Sequence, residues 1–144
     1  MSGAFMKSKV KILVVDDEAP VALMIVFLLT RMGCEAQSSW NVERALHLAQ
    51  AEEFDLITLD VDMPRMNGFE LFQKIKQIPH AKDTPIVFIS GNATIERQQY
   101  ALELGAADFI EKPFDTASFV PQLLSHIRGK TQPAQNSPSE GVAA

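Results

Sequence analysis

The stretch LITLDVDMPRMNGFELF, residues 56–72, passes from an apolar run to a helical pattern through one short loop. Leu56 to Leu59 form a continuous run of apolar and β-branched residues, which is typical of a strand covered on both faces. Asp60 closes that run, and Asn67 stands where a helix N-cap is expected, before apolar residues at helical spacing. The stretch therefore predicts a strand followed by a helix, with an acid at the carboxyl end of the strand.

The same pattern recurs along the chain. Strands are predicted at residues 11–15, 35–39, 56–59, 86–89 and 108–110, with helical periodicity between them. The predicted helix caps and stops are Asn41, Asn67, Thr94 and Asp115 at the starts, and Gly33 and Gly105 at the ends. This strict alternation predicts a doubly wound α/β fold, with a parallel sheet of five strands and helices on both faces.

Composition limits what such a chain can be. It has 144 residues, 47% of them apolar, and a formal charge of −5, which fits one globular domain in residues 9–127. Residues 1–8 are interpreted as an N-terminal extension or leader. Residues 128–144, rich in Pro, Ser, Gln and Gly, are interpreted as a disordered tail or a linker to an output domain.

Several classes of protein are disfavoured by the same composition. One cysteine, Cys34, permits no internal disulfide and indicates a reducing, cytoplasmic setting. The longest apolar run, Val21 to Leu29, is too short to cross a membrane. Because no cluster of Lys and Arg is present, we expect no direct nucleic-acid binding by this domain.

Five polar side chains follow predicted strands at the carboxyl edge of the sheet: Asp16, Asp17, Asp60, Ser90 and Lys112. Sites in sheets of this kind lie at that edge. Three crowded carboxylates repel one another unless a cation neutralises them. Carboxylate oxygens suit Mg²⁺, so the sequence predicts a magnesium site, with Mn²⁺ as an alternative ion.

Four ordered motifs carry a family resemblance: Val14 to Asp17, Leu59 to Gly68, Ile89 to Gly91 and Glu111 to Phe114. Together they resemble the receiver domain of bacterial two-component response regulators, the CheY-like superfamily. The resemblance covers about residues 9–127 and implies a flavodoxin-like (βα)5 fold with strand order 2-1-3-4-5. It implies a signalling domain that catalyses only its own phosphorylation and dephosphorylation.

The resemblance also implies roles for residues at the acidic site. Asp60 would be the phosphoryl acceptor, forming an aspartyl phosphate. Asp17 would bind Mg²⁺ directly and Asp16 through a water molecule. The backbone carbonyl of Asp62 would supply a third protein ligand.

Further roles follow for residues of the last two strands. Lys112 would pair with Asp60 at rest and with the phosphoryl oxygens afterwards, and its bond to Pro113 is expected to be cis. The Ser90 hydroxyl would bind the phosphoryl group, and the ring of Phe109 would turn into the space vacated by the Ser90 loop. The phosphoryl donor would be a sensor histidine kinase or a histidine phosphotransfer domain, and the signal would pass to an output domain or another protein.

Two helices depart from the simple pattern. The first predicted helix is apolar on two faces, with a predicted core stripe of Val21, Met24, Ile25, Leu28 and Met32 and an outer face of Ala22, Leu23, Val26 and Phe27. The outer face is interpreted as a docking surface for the donor, carried by Leu23, Val26 and Phe27, or else as a homodimer surface. In the last helix, Pro121 predicts a kink or a regular part that begins near Val120.

Three other functions fit the sequence less well. Asp60-Val61-Asp62 resembles the nucleophile motif of haloacid-dehalogenase-like phosphatases. In that family the motif follows the first strand, whereas in this chain the first predicted strand is followed by Asp16-Asp17 and the motif follows the third. A flavin or dinucleotide site is disfavoured, since no Gly-rich loop follows the first strand and the acids there would repel a phosphate. A receiver that never carries phosphate is disfavoured because the residues needed for phosphorylation are present.

Overall fold

The computed structural model describes residues 9–127. The predicted extension at residues 1–8 and the predicted tail at residues 128–144 lie outside these residues. The described part of the chain folds as strands and helices in strict alternation.

The sheet has five parallel strands: β1 Lys11–Val15, β2 Glu35–Ser39, β3 Leu56–Asp60, β4 Ile86–Ser90 and β5 Asp108–Glu111. Their spatial order is β2-β1-β3-β4-β5, which confirms the predicted fold. Every residue of β3 and β4 is buried, as expected for central strands covered on both faces. β3, β4 and β5 run one residue beyond the predicted apolar segments, so Asp60 and Ser90 are themselves paired in the sheet.

The helices are α1 Ala19–Arg31, α2 Val42–Ala51, α3 Gly68–Lys76, α4 Ile95–Leu104 and α5 Thr116–Leu124, with a short 3-10 helix at Pro79–Ala81. The four predicted N-caps are confirmed, because the side chains of Asn41, Asn67, Thr94 and Asp115 each accept a backbone N–H at the start of a helix. Gly33 and Gly105 follow helices with positive φ angles of 87° and 105°, as predicted for left-handed stops.

Two apolar layers hold the helices against the sheet. One layer packs α1 and α5 on one face, and the other packs α2, α3 and α4 on the opposite face. The largest fully buried side chains include Phe72, Phe88 and Phe119. Because helices cover both faces of the sheet, polar groups gather at the two ends of the strands, which are called here the amino edge and the carboxyl edge.

The prediction for α1 was partly wrong. Ala22, assigned to the outer face, is fully buried, whereas Met24 and Met32, assigned to the core, are 40% and 56% exposed. Val26 is half-buried and packs against the core. The buried stripe of this helix consists of Ala22, Ile25 and Leu29. The face that the helix turns toward the sheet therefore differs from the predicted face by about one residue.

Of the two alternatives that Pro121 left open, a kink or a regular part of α5 that begins near Val120, the second is wrong. The helix begins at Thr116 and includes Pro121. Phe119, Val120 and Leu123 are buried on its inner side. Burial of these three side chains offsets the hydrogen bond that a proline cannot donate within a helix.

Candidate functional site

The carboxyl ends of the central strands bring three acids together. Asp16 and Asp60 are 1% and 4% exposed, and Asp17 lies on the surface beside them. One carboxylate oxygen from each lies within 4.8 Å of the others. The sequence predicted this convergence because parallel strands end at a common edge.

The loop after β3 is held by the start of α3. Asn67 and Glu70 form a reciprocal cap, in which each side chain accepts the backbone N–H of the other residue. Gly68 donates its N–H to the Val61 carbonyl at 2.8 Å. A Cβ atom at Gly68 would lie 2.2 Å from the Asp60 carbonyl oxygen, so only glycine allows this approach of helix to strand.

Lys112 places one ammonium among several acids. Its Nζ lies 2.9 Å from Asp16 Oδ2, 3.1 Å from Glu18 Oε1 and 3.6 Å from Asp60 Oδ1. The pairing of Lys112 with Asp60 is therefore present, but it is the longest of three. Burial acts to lower the pKa of Lys112, yet these acids outweigh it and hold that pKa above its ordinary value. The Lys112–Pro113 peptide bond is cis, as the resemblance implies.

The pKa of the Asp60 carboxyl group is strongly raised. Burial of its side chain, with the adjacent Asp16 charge, raises the pKa of Asp60 to about 7, although Lys112 opposes the shift. Beside it, Asp16 Oδ2 is buried against the Lys112 ammonium at 2.9 Å, the same ammonium that Glu18 and Asp60 approach. The acids are thus packed together with incomplete compensation.

Ser90 and Asp62 lie next to the cluster. Ser90 is fully buried, its Oγ accepts the Asn92 N–H at 3.0 Å, and it lies 3.5 Å from Asp62 Oδ2. The Asp62 N–H points to Asp60 Oδ1 at 3.4 Å, while the Asp62 side chain is exposed. On α4, Arg97 Nη2 donates to Asp62 Oδ1 at 2.8 Å.

Sequence reasoning missed two site residues, Glu18 and Arg97. Glu18 directly follows Asp16-Asp17, and its backbone N–H donates to Asp16 Oδ1 at 2.9 Å, so its position in the motif was an available signal. Arg97 lies 35 residues from its partner Asp62, and no local pattern announces the contact.

The remaining residues for which a role was predicted lie outside the acidic cluster, on β5 and α1. Phe109 is half-buried in β5, paired in register with Phe88, and the two ring centroids are 6.3 Å apart. On α1, Leu23 and Phe27 are 54% and 58% exposed. None of the helices in the described residues is long and apolar enough to cross a membrane.

The fold and its acidic edge define a class: an α/β signalling module of the receiver type. The family model of the response regulator receiver domain matches residues 12–124, and the chain belongs to that family. Receiver domains bind Mg²⁺ in an acidic pocket and act as phosphoacceptors in two-component signalling. The predicted family is confirmed.

Similar proteins agree with this placement. The chain is 33% identical over 124 residues to a probable cyclic di-GMP phosphodiesterase of Vibrio cholerae, a match that covers 85% of this chain and 28% of that protein. The structure of chemotaxis protein CheY4 of Vibrio cholerae superposes with a TM-score of 0.80 at 30% identity, covering 83% of this chain and 100% of that one. The non-phosphorylated HemR receiver domain of Leptospira biflexa gives 0.77 at 31% identity, covering 88% and 100%.

Proposed function

We propose that this chain accepts a phosphoryl group on Asp60 in a Mg²⁺-dependent phosphorelay. The donor is a phosphohistidine on a sensor histidine kinase or a histidine phosphotransfer domain. The observation that carries the proposal is the buried Asp60 carboxylate, which lies within 4.8 Å of two further acids and 3.6 Å from the Lys112 ammonium. Asp60 is thus a buried nucleophile, and the groups around it can hold a cation and a phosphate.

The transfer is a substitution at phosphorus. An oxygen of Asp60 forms a bond to phosphorus while the bond from phosphorus to the donor imidazole nitrogen breaks, and the electron pair leaves with the imidazole. Lys112 stabilises charge on the phosphoryl oxygens, and the Ser90 hydroxyl donates to one of them. Hydrolysis of the aspartyl phosphate by water returns the carboxylate and releases phosphate.

The donor set fits a divalent cation. Asp17 and the Asp62 backbone carbonyl would hold the ion directly and Asp16 through a water molecule, and the carboxylates of Asp16, Asp17 and Asp60 lie close enough together to surround it. Mg²⁺, or Mn²⁺ in its place, would offset the repulsion among the acids and the incoming phosphate. The chain's own contribution is to hold these oxygens at one edge of a rigid sheet.

The signal passes from the site to the rest of the domain through Ser90 and Phe109. Moving Ser90 toward the phosphoryl group leaves space beside β5, and the Phe109 ring turns into it. Because phenylalanine has no hydroxyl, packing alone couples this ring to Ser90. The changed surface acts on an output domain or a separate protein, or favours a homodimer.

The donor docks on the exposed apolar face of α1. Leu23, Met24 and Phe27 are exposed on this face, while Val26, which was also predicted to belong to it, is half-buried and packs against the core. Exposed apolar side chains in a row mark an interaction surface. Phe27→Lys is expected to slow transfer from the cognate donor at least tenfold and to leave phosphorylation by a small phosphodonor unchanged. If Phe27→Lys accepts the phosphoryl group from the cognate donor as fast as wild type does, docking at α1 is contradicted.

We also propose a cytoplasmic location. A domain that exchanges phosphoryl groups with a kinase works in the compartment that holds the kinase's nucleotide, and Cys34 is kept there as a buried free thiol.

Intact mass measurement tests the acceptor. Incubation with acetyl phosphate and Mg²⁺ should add one phosphoryl group to the wild-type chain and none to Asp60→Asn. A mass gain that survives this substitution would overturn the assignment. Turnover of p-nitrophenyl phosphate, with no mass gain at Asp60, would favour the phosphatase alternative instead.

A further inference from the structure

Arg97 is fixed at the mouth of the acidic site. It is the third residue of α4, and its Nη2 donates to Asp62 Oδ1 at 2.8 Å. Its guanidinium group lies 6.0 Å from the centroid of the Phe69 ring, and its side chain is only 21% exposed. A long side chain that is held at two points is pre-organised rather than freely solvated.

Asp62 connects this arginine to the acceptor. Its N–H points to Asp60 Oδ1 at 3.4 Å, and its Oδ2 lies 3.5 Å from Ser90 Oγ. The Asp62 carboxylate therefore stands beside the two residues proposed to receive and hold the phosphoryl group. Without its partner, this carboxylate would be a further negative charge on the path of a phosphate.

The site has little positive charge to spare. The depression in front of Asp60 is lined by Asp17, Glu18, Asp62, Gly91 and Lys112. Lys112 is already shared by three acids. In the described part of the chain, Arg97 is the other cation that forms an ion pair with a carboxylate of this depression.

We propose that Arg97 is a positioning residue that neutralises Asp62 and holds its carboxylate aside, and so sets how readily the site accepts a dianionic phosphodonor. The inference rests on the proposed function of Asp60. A charge of one unit at a few ångströms near a protein surface changes an interaction enough to alter a rate about fivefold.

The charge role predicts opposite shifts for two ligands. In Arg97→Ala, the unpaired Asp62 carboxylate repels the phosphodonor but attracts a cation. The second-order rate of phosphorylation by acetyl phosphate at saturating Mg²⁺ should fall about fivefold. The affinity of the unphosphorylated protein for Mg²⁺ alone, measured by calorimetry, should rise about threefold.

The chain offers a matched control. Arg44 is the third residue of α2, is exposed, and donates its backbone N–H to its helix cap as Arg97 does. Arg44→Ala removes the same charge from the same helix position and should change neither measurement by more than about 1.5-fold. Arg97→Lys should recover most of the rate, and Arg97→Ala with Asp62→Asn should return both measurements near the wild-type values.

The outcomes separate this inference from the function it rests on. If Asp60→Asn is phosphorylated as well as wild type, the proposed function is wrong. Suppose instead that wild type is phosphorylated and Asp60→Asn is not. The proposed role of Arg97 is then wrong if Arg97→Ala lowers both the phosphorylation rate and the Mg²⁺ affinity, changes neither, or changes just one. Opposite shifts that the double variant cancels would support it.

Discussion

The two edges of the sheet treat acids in opposite ways. At the amino edge, Asp108 accepts from Gln122 Nε2 at 3.0 Å and from the Phe109 N–H at 2.8 Å, and it lies 3.0 Å from His126 Nε2. Although its burial acts against ionisation, these contacts hold the pKa of Asp108 below its ordinary value. At the carboxyl edge, the pKa of Asp60 is raised to about 7.

A second group at the amino edge shows the same satisfaction. Glu52 accepts from Lys11 Nζ at 2.8 Å and from Gln37 Nε2 at 3.0 Å, and these bonds lower its pKa. Asp108 and Glu52 at the amino edge therefore stabilise the fold through their own partners, whereas Asp16, Glu18 and Asp60 at the carboxyl edge share the Lys112 ammonium. Such local conflict is expected where a protein binds a cation and a phosphate.

The largest effect is expected at the carboxyl edge. Asp60→Asn removes one charge from the cluster, so in metal-free solution at pH 8 it should raise the free energy of unfolding by about 2 kcal/mol, while phosphorylation is lost. Urea denaturation monitored by circular dichroism measures the change. The control is Asp115→Asn, which neutralises an exposed helix cap without removing its acceptor oxygen. Destabilisation by Asp60→Asn would contradict the idea of uncompensated repulsion.

The next prediction concerns pH. Because the folded Asp60 has a pKa of about 7 and an unfolded aspartic acid has about 3.9, the folded state binds more protons between these values. The stability of the metal-free protein should therefore fall as pH rises from 5 to 7, by about 1–2 kcal/mol. Asp108, with a lowered pKa, contributes stability that is lost only toward more acidic pH.

Subtraction isolates the Asp60 contribution. Titratable groups other than Asp60 are the same in wild type and in Asp60→Asn, so their contribution to the pH dependence cancels in the difference. The difference between the two unfolding curves should therefore grow from pH 5 to pH 7 in the absence of metal and shrink when Mg²⁺ is added. A difference independent of pH would show that Asp60 is already ionised at pH 5.

The sequence predicted the sheet and the acidic edge because both depend on short-range patterns. Apolar runs that end in Asp60 or Ser90 specify strand, direction and edge together. It did not predict the orientation of α1, since a helix that is apolar on two sides has no unique buried stripe until the sheet selects one. It missed the contact of Arg97 with Asp62, because that contact depends on how α4 packs rather than on a motif.

The smallest predicted effect lies at the amino edge and has the opposite sign. Asp108→Ala removes the hydrogen bonds that Asp108 accepts from the Phe109 N–H and Gln122 Nε2, together with the contact with His126. It should lower the free energy of unfolding at pH 7 by about 1 kcal/mol. Denaturant unfolding measures it. Asp108→Asn, which keeps an acceptor oxygen, should lose less, and neither variant should change the rate of phosphorylation. Stabilisation by Asp108→Ala would show that both edges are strained alike, and the contrast between them would disappear.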